Sequence, residues 1–259
     1  MTAEYVFKTC VKAIQSGILI ERPSVSDKEF HFQNWFKARL QETGLLFDQN
    51  GRNSFPDFTL VSHTEGFEVK GLAYPGRVST FDSNSKVPSG FHNGRTIYYV
   101  FGRYPRKPDG DTYPVIDLVL CHGDFLNADQ EYQHENKHIR GFGVYGDILI
   151  RDRKMYVAPT PFNLANGLAH NLTMILPNEM EPGSDFTEVG KLIRKEVDDL
   201  VIGYSFNLQS NHIDTKTIPN PNAGKVHYFN AWRLKGTPIS EVSMSNHPIE
   251  YDSYDDETD

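Results

Sequence analysis

Apolar and polar positions follow two different periods along this chain. Residues 4 to about 20 place Val6, Cys10, Val11, Ile14 and Ile18 at helical spacing, and Gly17 and Pro23 end the pattern. The stretch SVSDKEF opens a second helix. Ser26 fits an N-cap, and Glu29 follows three residues later, as in a capping box. This helix is expected to run to about Glu42, with Gly44 as its stop. The period then falls to two. FPDFTLV and EGFEVKGL are short apolar-rich runs separated by SHTE, the pattern of a β-hairpin. Ala73 to Arg95 is rich in Gly, Pro, Ser and Asn and reads as a long loop. TIYYVFGRY and YPVIDLVLCH read as strands. The second is nearly all apolar, as in a central strand covered on both faces. Asp129 to Arg140 is polar with little periodicity. FGVYGDILI and KMYVAP are two further strands about a charged turn, RDR. FTEVGKLIRKEVDDLVIGY reads as helical, and residues 205 to 249 are polar apart from an aromatic segment, KVHYFNAWRL. The pattern predicts an α/β fold with a central mixed β-sheet flanked by helices. Residues 1–249 are expected to form one domain, and 250–259 an acidic, disordered tail.

Composition narrows this picture without deciding the function. The 259 residues can bury a core without covalent staples, and 38% hydrophobic content is that of a globular chain. No apolar run approaches the roughly 20 residues of a membrane helix. The N-terminal stretch carries charge within its apolar positions and has no clear cleavage site, so no signal peptide is expected. Cys10 and Cys121 supply neither a disulfide framework nor zinc spacing, which suits a reducing cytoplasm. The net charge of −8 is concentrated at the end. EYDSYDDETD holds six acids and no base, and without it 28 acids face 26 bases. A near-neutral body of this kind can still carry a basic cleft.

The hairpin holds the candidate chemistry. Alternation sends Phe67 and Val69 to one strand face and Glu68 and Lys70 to the other. Asp57 opens the preceding strand, so antiparallel pairing brings its carboxylate beside Glu68. Two close carboxylates repel unless a positive charge lies between them. Oxygen ligands without Cys or His suit Mg²⁺, with Mn²⁺ as a substitute. Such an ion lowers the pKa of a bound water, and Lys70 is placed to orient that water or to stabilise charge on a phosphate.

The order Pro56-Asp57, ten residues, then Glu68-Val69-Lys70 resembles the PD-(D/E)xK nuclease superfamily, over a span of 15 residues. Chain length and the helix-then-hairpin order are most similar to type II restriction endonucleases. The resemblance implies a restriction-endonuclease-like fold and a Mg²⁺-dependent, sequence-specific hydrolysis of double-stranded DNA. It implies Asp57, Glu68 and Lys70 as catalytic residues. The Val69 carbonyl joins Asp57 and Glu68 as a metal ligand. It also implies a homodimer and a cognate DNA methyltransferase in the same host. The alternatives are a repair, recombination or phage nuclease of the same fold, or a non-catalytic binding module.

Context separates this motif from others. D/E-x-K recurs at Glu135–Lys137, Asp152–Lys154 and Asp214–Lys216, but those lie in polar sequence or in a hairpin turn. Glu29, Phe32, Gln33, Phe36 and Leu40 share a helical face, and related nucleases add an acid to the metal from such a helix. Glu29 is therefore a candidate fourth ligand and, equally, the capping-box residue; Gln33 is a weaker candidate to reach the same site. Asp117 and Asp147 lie in apolar strands, where an edge or strand-end position explains them better than metal binding. Arg77, Lys86, Arg95, Arg103, Arg106 and Lys107 flank the hairpin as candidate phosphate contacts, and Arg151, Arg153 and Lys154 form a second cationic turn.

Overall fold

The computed structural model describes residues 1–22, 30–51, 54–84, 86–106, 110–128, 143–145, 147–152, 155–166, 171–237 and 243–244. Two helices precede the sheet. Helix α1 (Thr2–Gln15) buries Val6, Phe7, Cys10 and Val11, at the predicted spacing. Helix α2 (His31–Glu42) buries Phe32, Trp35, Phe36 and Leu40, and Gly44 follows with φ +73°, the left-handed stop anticipated for it. The helix begins at His31, with Phe30 as its N-cap and no side-chain cap hydrogen bond, and not at Ser26 as expected; Ser26, Glu29 and the acidic tail themselves lie outside the described residues.

The strands that build the main sheet are β1 (Phe47–Gln49), β2 (Phe58–Leu60), β3 (Glu65–Tyr74), β5 (Arg95–Pro105), β6 (Asp117–His122), β10 (Leu172–Pro177), β11 (Phe186–Lys195) and β14 (Val226–Leu234). Between them in the chain run β4 (Thr80–Asn84), β7 (Gly143–Tyr145), β8 (Ile148–Asp152), β9 (Met155–Pro159), β12 (Asp199–Asn207) and β13 (His212–Pro219). The main sheet is mixed and nine-stranded, in the order β11-β14-β10-β6-β5-β3-β2-β1, with the two-residue strand Phe91–His92 also paired to β5. Pairs β3/β5 and β6/β10 are parallel. Beside it are a four-stranded sheet, β7-β8-β9-β4, a two-stranded ribbon, β12-β13, and two short ladders, Ile20–Glu21 with Thr112–Tyr113 and Ala165–Asn166 with Ser243–Met244. The fold is α/β with a large mixed sheet and few helices. No helix among the described residues is long and apolar enough to cross a membrane.

Alternation along the central strands divides the core into two layers. Phe67, Val69, Tyr98, Val100, Leu118 and Leu120 pack against α1 and α2. Tyr99, Phe101, Val119 and Cys121 face the opposite way, toward Phe81 of β4, Ile148 and Ile150 of β8, and Leu200 and Ile202 of β12. All six residues of β6 are buried, as its unbroken apolar run predicts.

Two expectations are corrected. The stretch 186–204 is not helical. It forms β11 and the start of β12. A bulge between Glu188 and Gly190 lets Val189 and Leu192, three residues apart, face the same core, so buried positions in this strand imitate helical spacing. The long loop expected from Ala73 to Arg95 is interrupted by β4, whose Phe81 is 2% exposed and fixes this segment to the second sheet.

Candidate active site

The predicted hairpin forms. Strands β2 and β3 are antiparallel, with Phe58 opposite Phe67, which sets Asp57 across from Glu68. The approach is tight. A Cβ on Gly66 would come within 2.7 Å of Pro56 Cγ, so only glycine lets the Pro56–Asp57 segment lie this close to β3. Asn50 secures the same segment from the other side. Its amide nitrogen Nδ2 donates to the Pro56 carbonyl at 2.7 Å, and its backbone N–H to the Asp57 carbonyl at 2.9 Å.

These constraints assemble a compact group. The Val69 N–H donates to Asp57 Oδ2 at 2.8 Å, and the Asp57 N–H donates to Glu68 Oε2 at 3.2 Å. Lys70 Nζ lies 2.8 Å from Glu68 Oε1. Gln33, from α2, hydrogen-bonds to Asp57. Glu68 is only 8% exposed, and the Lys70 ammonium sits 5.8 Å from the centre of the Phe81 ring. The Glu68–Lys70 pair is thus enclosed rather than solvated, unlike a surface ion pair of small value.

Helix α2 reaches this site through a groove. Gly71 and Gly102 are cross-strand partners on β3 and β5. A Cβ on Gly102 would meet Phe32 Cζ at 2.0 Å, and one on Gly71 would meet Phe32 Cβ at 2.9 Å. The Phe32 ring therefore occupies the space that two side chains would fill. Its neighbour Gln33 hydrogen-bonds to Asp57.

Burial, then the adjacent charge of Glu68, pushes the Asp57 carboxyl up to about 7; the Val69 N–H, Lys70 and Gln33 oppose that rise. Burial disfavours charge on Lys70, but Glu68 and, more weakly, Asp57 and Asp82 outweigh it and hold its ammonium above the ordinary value. Near neutrality the site holds a cation beside Asp57, a carboxyl whose ionisation burial and the charge of Glu68 oppose. Such a group accepts either a proton or an added cation.

The other candidates have structural explanations. Asp117 does stand at a strand end, as expected, being the first residue of β6, but it is not at a sheet edge. It is fully buried on the central strand β6, with Arg103 Nε at 2.8 and 3.0 Å from its two oxygens. Arg103 is 4% exposed and packs on Tyr74 and Phe162, so it is unable to serve as the phosphate contact expected of it. Arg95 donates to the carbonyls of Leu60 and His63 and ties the hairpin loop down. Arg77 pairs with Asp82 at 2.6 Å. Asp147 pairs with Arg194, which also donates to the Phe125 and Leu126 carbonyls. Glu29, Glu135–Lys137, Lys107, Arg153 and Lys154 lie outside the described residues, and Asp214–Lys216 is on the exposed strand β13.

Sequence reasoning did not find Asn50, nor the glycine pair that admits Phe32. The only available signal was Gly71 and Gly102 within two otherwise strand-like runs. Among the described residues, no cluster of three or more His, Cys, Asp or Glu converges as a metal site. A concavity of about 590 Å³ lies at Thr2, His63, Glu65 and Arg95, and does not include Asp57, Glu68 or Lys70. Compared with known proteins, the chain matches no family model, no curated protein and no solved structure.

Proposed function

We propose that the protein is a Mg²⁺-dependent, sequence-specific double-stranded DNA endonuclease built on a restriction-endonuclease-like fold. The observation that carries this reading is the enclosed pair Asp57 and Glu68 with Lys70 at 2.8 Å from Glu68. Burial and like charge raise the Asp57 pKa to about 7. A group that favours a proton because negative charge is crowded there favours a divalent cation for the same reason. The donors are hard oxygens, which suits Mg²⁺, with Mn²⁺ as a substitute.

Asp57 and Glu68 would hold the ion. The N–H and C=O of one strand residue face the same edge, so the Val69 carbonyl is turned to the edge where its N–H meets Asp57 and would add a third oxygen. Glu29 would complete the set from the segment before α2. A bound Mg²⁺ supplies Lewis-acid stabilisation of phosphate charge and a more acidic water. Lys70, kept protonated by the carboxylates, would orient a water or stabilise negative charge at the scissile phosphate. Gln33 would hold Asp57 in its ligating orientation. Cutting both strands of a duplex fits a homodimer whose two-fold axis matches that of a palindromic site, and the host would protect its own DNA with a methyltransferase.

The Lys70–Glu68 contact also supports a rival, in which the pair is a buried structural ion pair of a binding module without catalysis. Incubating purified protein with plasmid DNA in Mg²⁺ and in EDTA separates the two. Discrete Mg²⁺-dependent fragments support the endonuclease. Mg²⁺-dependent degradation without fixed positions points to a structure-selective nuclease of the same fold. Intact plasmid across metals and salts removes both nuclease readings.

A further inference from the structure

The ribbon β12-β13 has no part in the site described above, and its outer half belongs to no core. At its base Leu200 and Ile202 join the layer that also contains Leu72, Tyr99 and Phe81. That layer lies on the side of the main sheet to which Glu68 and Lys70 point, since Tyr99 and Phe101 are their register partners. Past Tyr204 the ribbon leaves the body. The pairs Ser205–Asp214, Phe206–Ile213 and Asn207–His212, and the turn from Leu208 to Asn211, are exposed. At about 3.3 Å per residue, three pairs and a turn extend roughly 10 Å or more beyond the last buried residue.

The chemistry of this tip is specific. Leu208 is 86% exposed, and Phe206 and Ile213, 46% and 45% exposed, form one cross-strand apolar pair. Gln209, Ser210 and Asn211 fill the turn with amides and a hydroxyl. The Asn207 side chain accepts the N–H groups of Gln209 and Ser210, at 3.0 and 3.2 Å, which stiffens the turn. The outer pairs carry one acid, Asp214, with the base Lys216 two residues on, so the tip has little net charge.

We propose that this ribbon is the base-reading element of the protein and that it enters the major groove of duplex DNA. The proposal rests on the reading of the Asp57 site as a DNA nuclease. A two-stranded ribbon fits the roughly 12 Å width of the major groove. Asn and Gln amides pair bidentately with adenine, and apolar side chains contact thymine methyls. A tip without a strong charge of either sign is unsuited to gripping phosphates and suited to reading base edges. An apolar pair held out from the body gains by burial against bases, and the stiffened turn lowers the entropy cost of docking.

Two measurements on the full chain test this. In the first, Leu208→p-benzoylphenylalanine protein is irradiated with a pool of short duplexes with randomised centres. The expected result is a protein–DNA adduct. An adduct joining two copies of the chain assigns the ribbon to self-association and overturns the proposal, and so does the absence of any DNA adduct. In the second, the double variant Gln209→Ala, Asn211→Gly, in which glycine keeps the left-handed φ of +52° at position 211, is compared with wild type on plasmid DNA in Mg²⁺. Cleavage at wild-type positions is expected to fall by at least about tenfold, with the fold retained, because neither residue contributes to a core. An unchanged fragment pattern at an unchanged rate overturns the proposal. The two readings fail separately. Plasmid that is cut without a DNA adduct keeps the nuclease and removes the ribbon reader. A DNA adduct with plasmid intact in Mg²⁺ keeps the ribbon as a DNA contact and removes the nuclease.

Discussion

The backbone N–H of Val69 donates to Asp57 Oδ2 at 2.8 Å, so the strand that carries Glu68 and Lys70 also holds the carboxylate opposite them. One strand edge thus fixes the relative placement of all three groups. Small errors in that placement are expensive in a catalytic site.

The pH dependence of stability follows from the direction of the Asp57 shift. Its folded pKa, about 7, lies above the ordinary 3.8. The favourable contribution of the protonated group is therefore fully present below about pH 4 and is lost as pH rises through about 7. Asp57→Asn removes the ionisation and is expected to be more stable than wild type above pH 7, by on the order of 4 kcal/mol. The difference should close below pH 4. Thermal melts across pH measure this, and a constant gap at every pH would contradict it.

On the proposed reading, Mg²⁺ and the proton would compete for the same carboxylates. Addition of Mg²⁺ at pH 8 is expected to raise the Tm of wild type, and to raise that of Asp57→Asn much less. Equal shifts in the two proteins would place the ion elsewhere.

In the proposed enzyme, Gln33 would act on the reaction through Asp57. Its hydrogen bond opposes the rise in the Asp57 pKa. Gln33→Ala should therefore move the rising limb of the pH–rate profile to higher pH, with near-wild-type rates recovered on the alkaline side. A uniform loss of rate at all pH values would indicate a packing role instead.

The groove beneath α2 predicts a positional effect remote from the chemistry. Gly102→Ala would put a methyl group 2.0 Å from Phe32 Cζ. We expect a destabilisation of about 1–3 kcal/mol, as for other overpacked cores, together with loss of cleavage as Gln33 is displaced. The double variant Gly102→Ala, Phe32→Leu should recover part of both. Thermal melts and plasmid cleavage on the three proteins provide the check.

The central hairpin was legible because the chemistry and the alternation agree. Phe67 and Val69 demand one face, and Glu68 and Lys70 are left for the other. The stripe Phe32, Phe36 and Leu40 was legible for the same reason, and the structure buries all three. Other features required tertiary information. The bulge at Val189 gave a strand the spacing of a helix. Arg103 looked like a free cation because its partner Asp117 is 14 residues away on the neighbouring strand. Phe32 lies across Gly71 and Gly102, and nothing in three separate segments signals that they meet. The ribbon was obscured because both strands of its outer half are exposed and its few apolar residues follow no core periodicity.

The most direct measurement is plasmid cleavage by wild type, Asp57→Ala and Lys70→Ala side by side in Mg²⁺, with DNA binding measured on the same preparations. Wild type is predicted to cut at fixed positions. Both variants should bind DNA and lose at least about 100-fold in rate. Cleavage by either variant at the wild-type rate, or cleavage by wild type in EDTA, would contradict the assignment of this site.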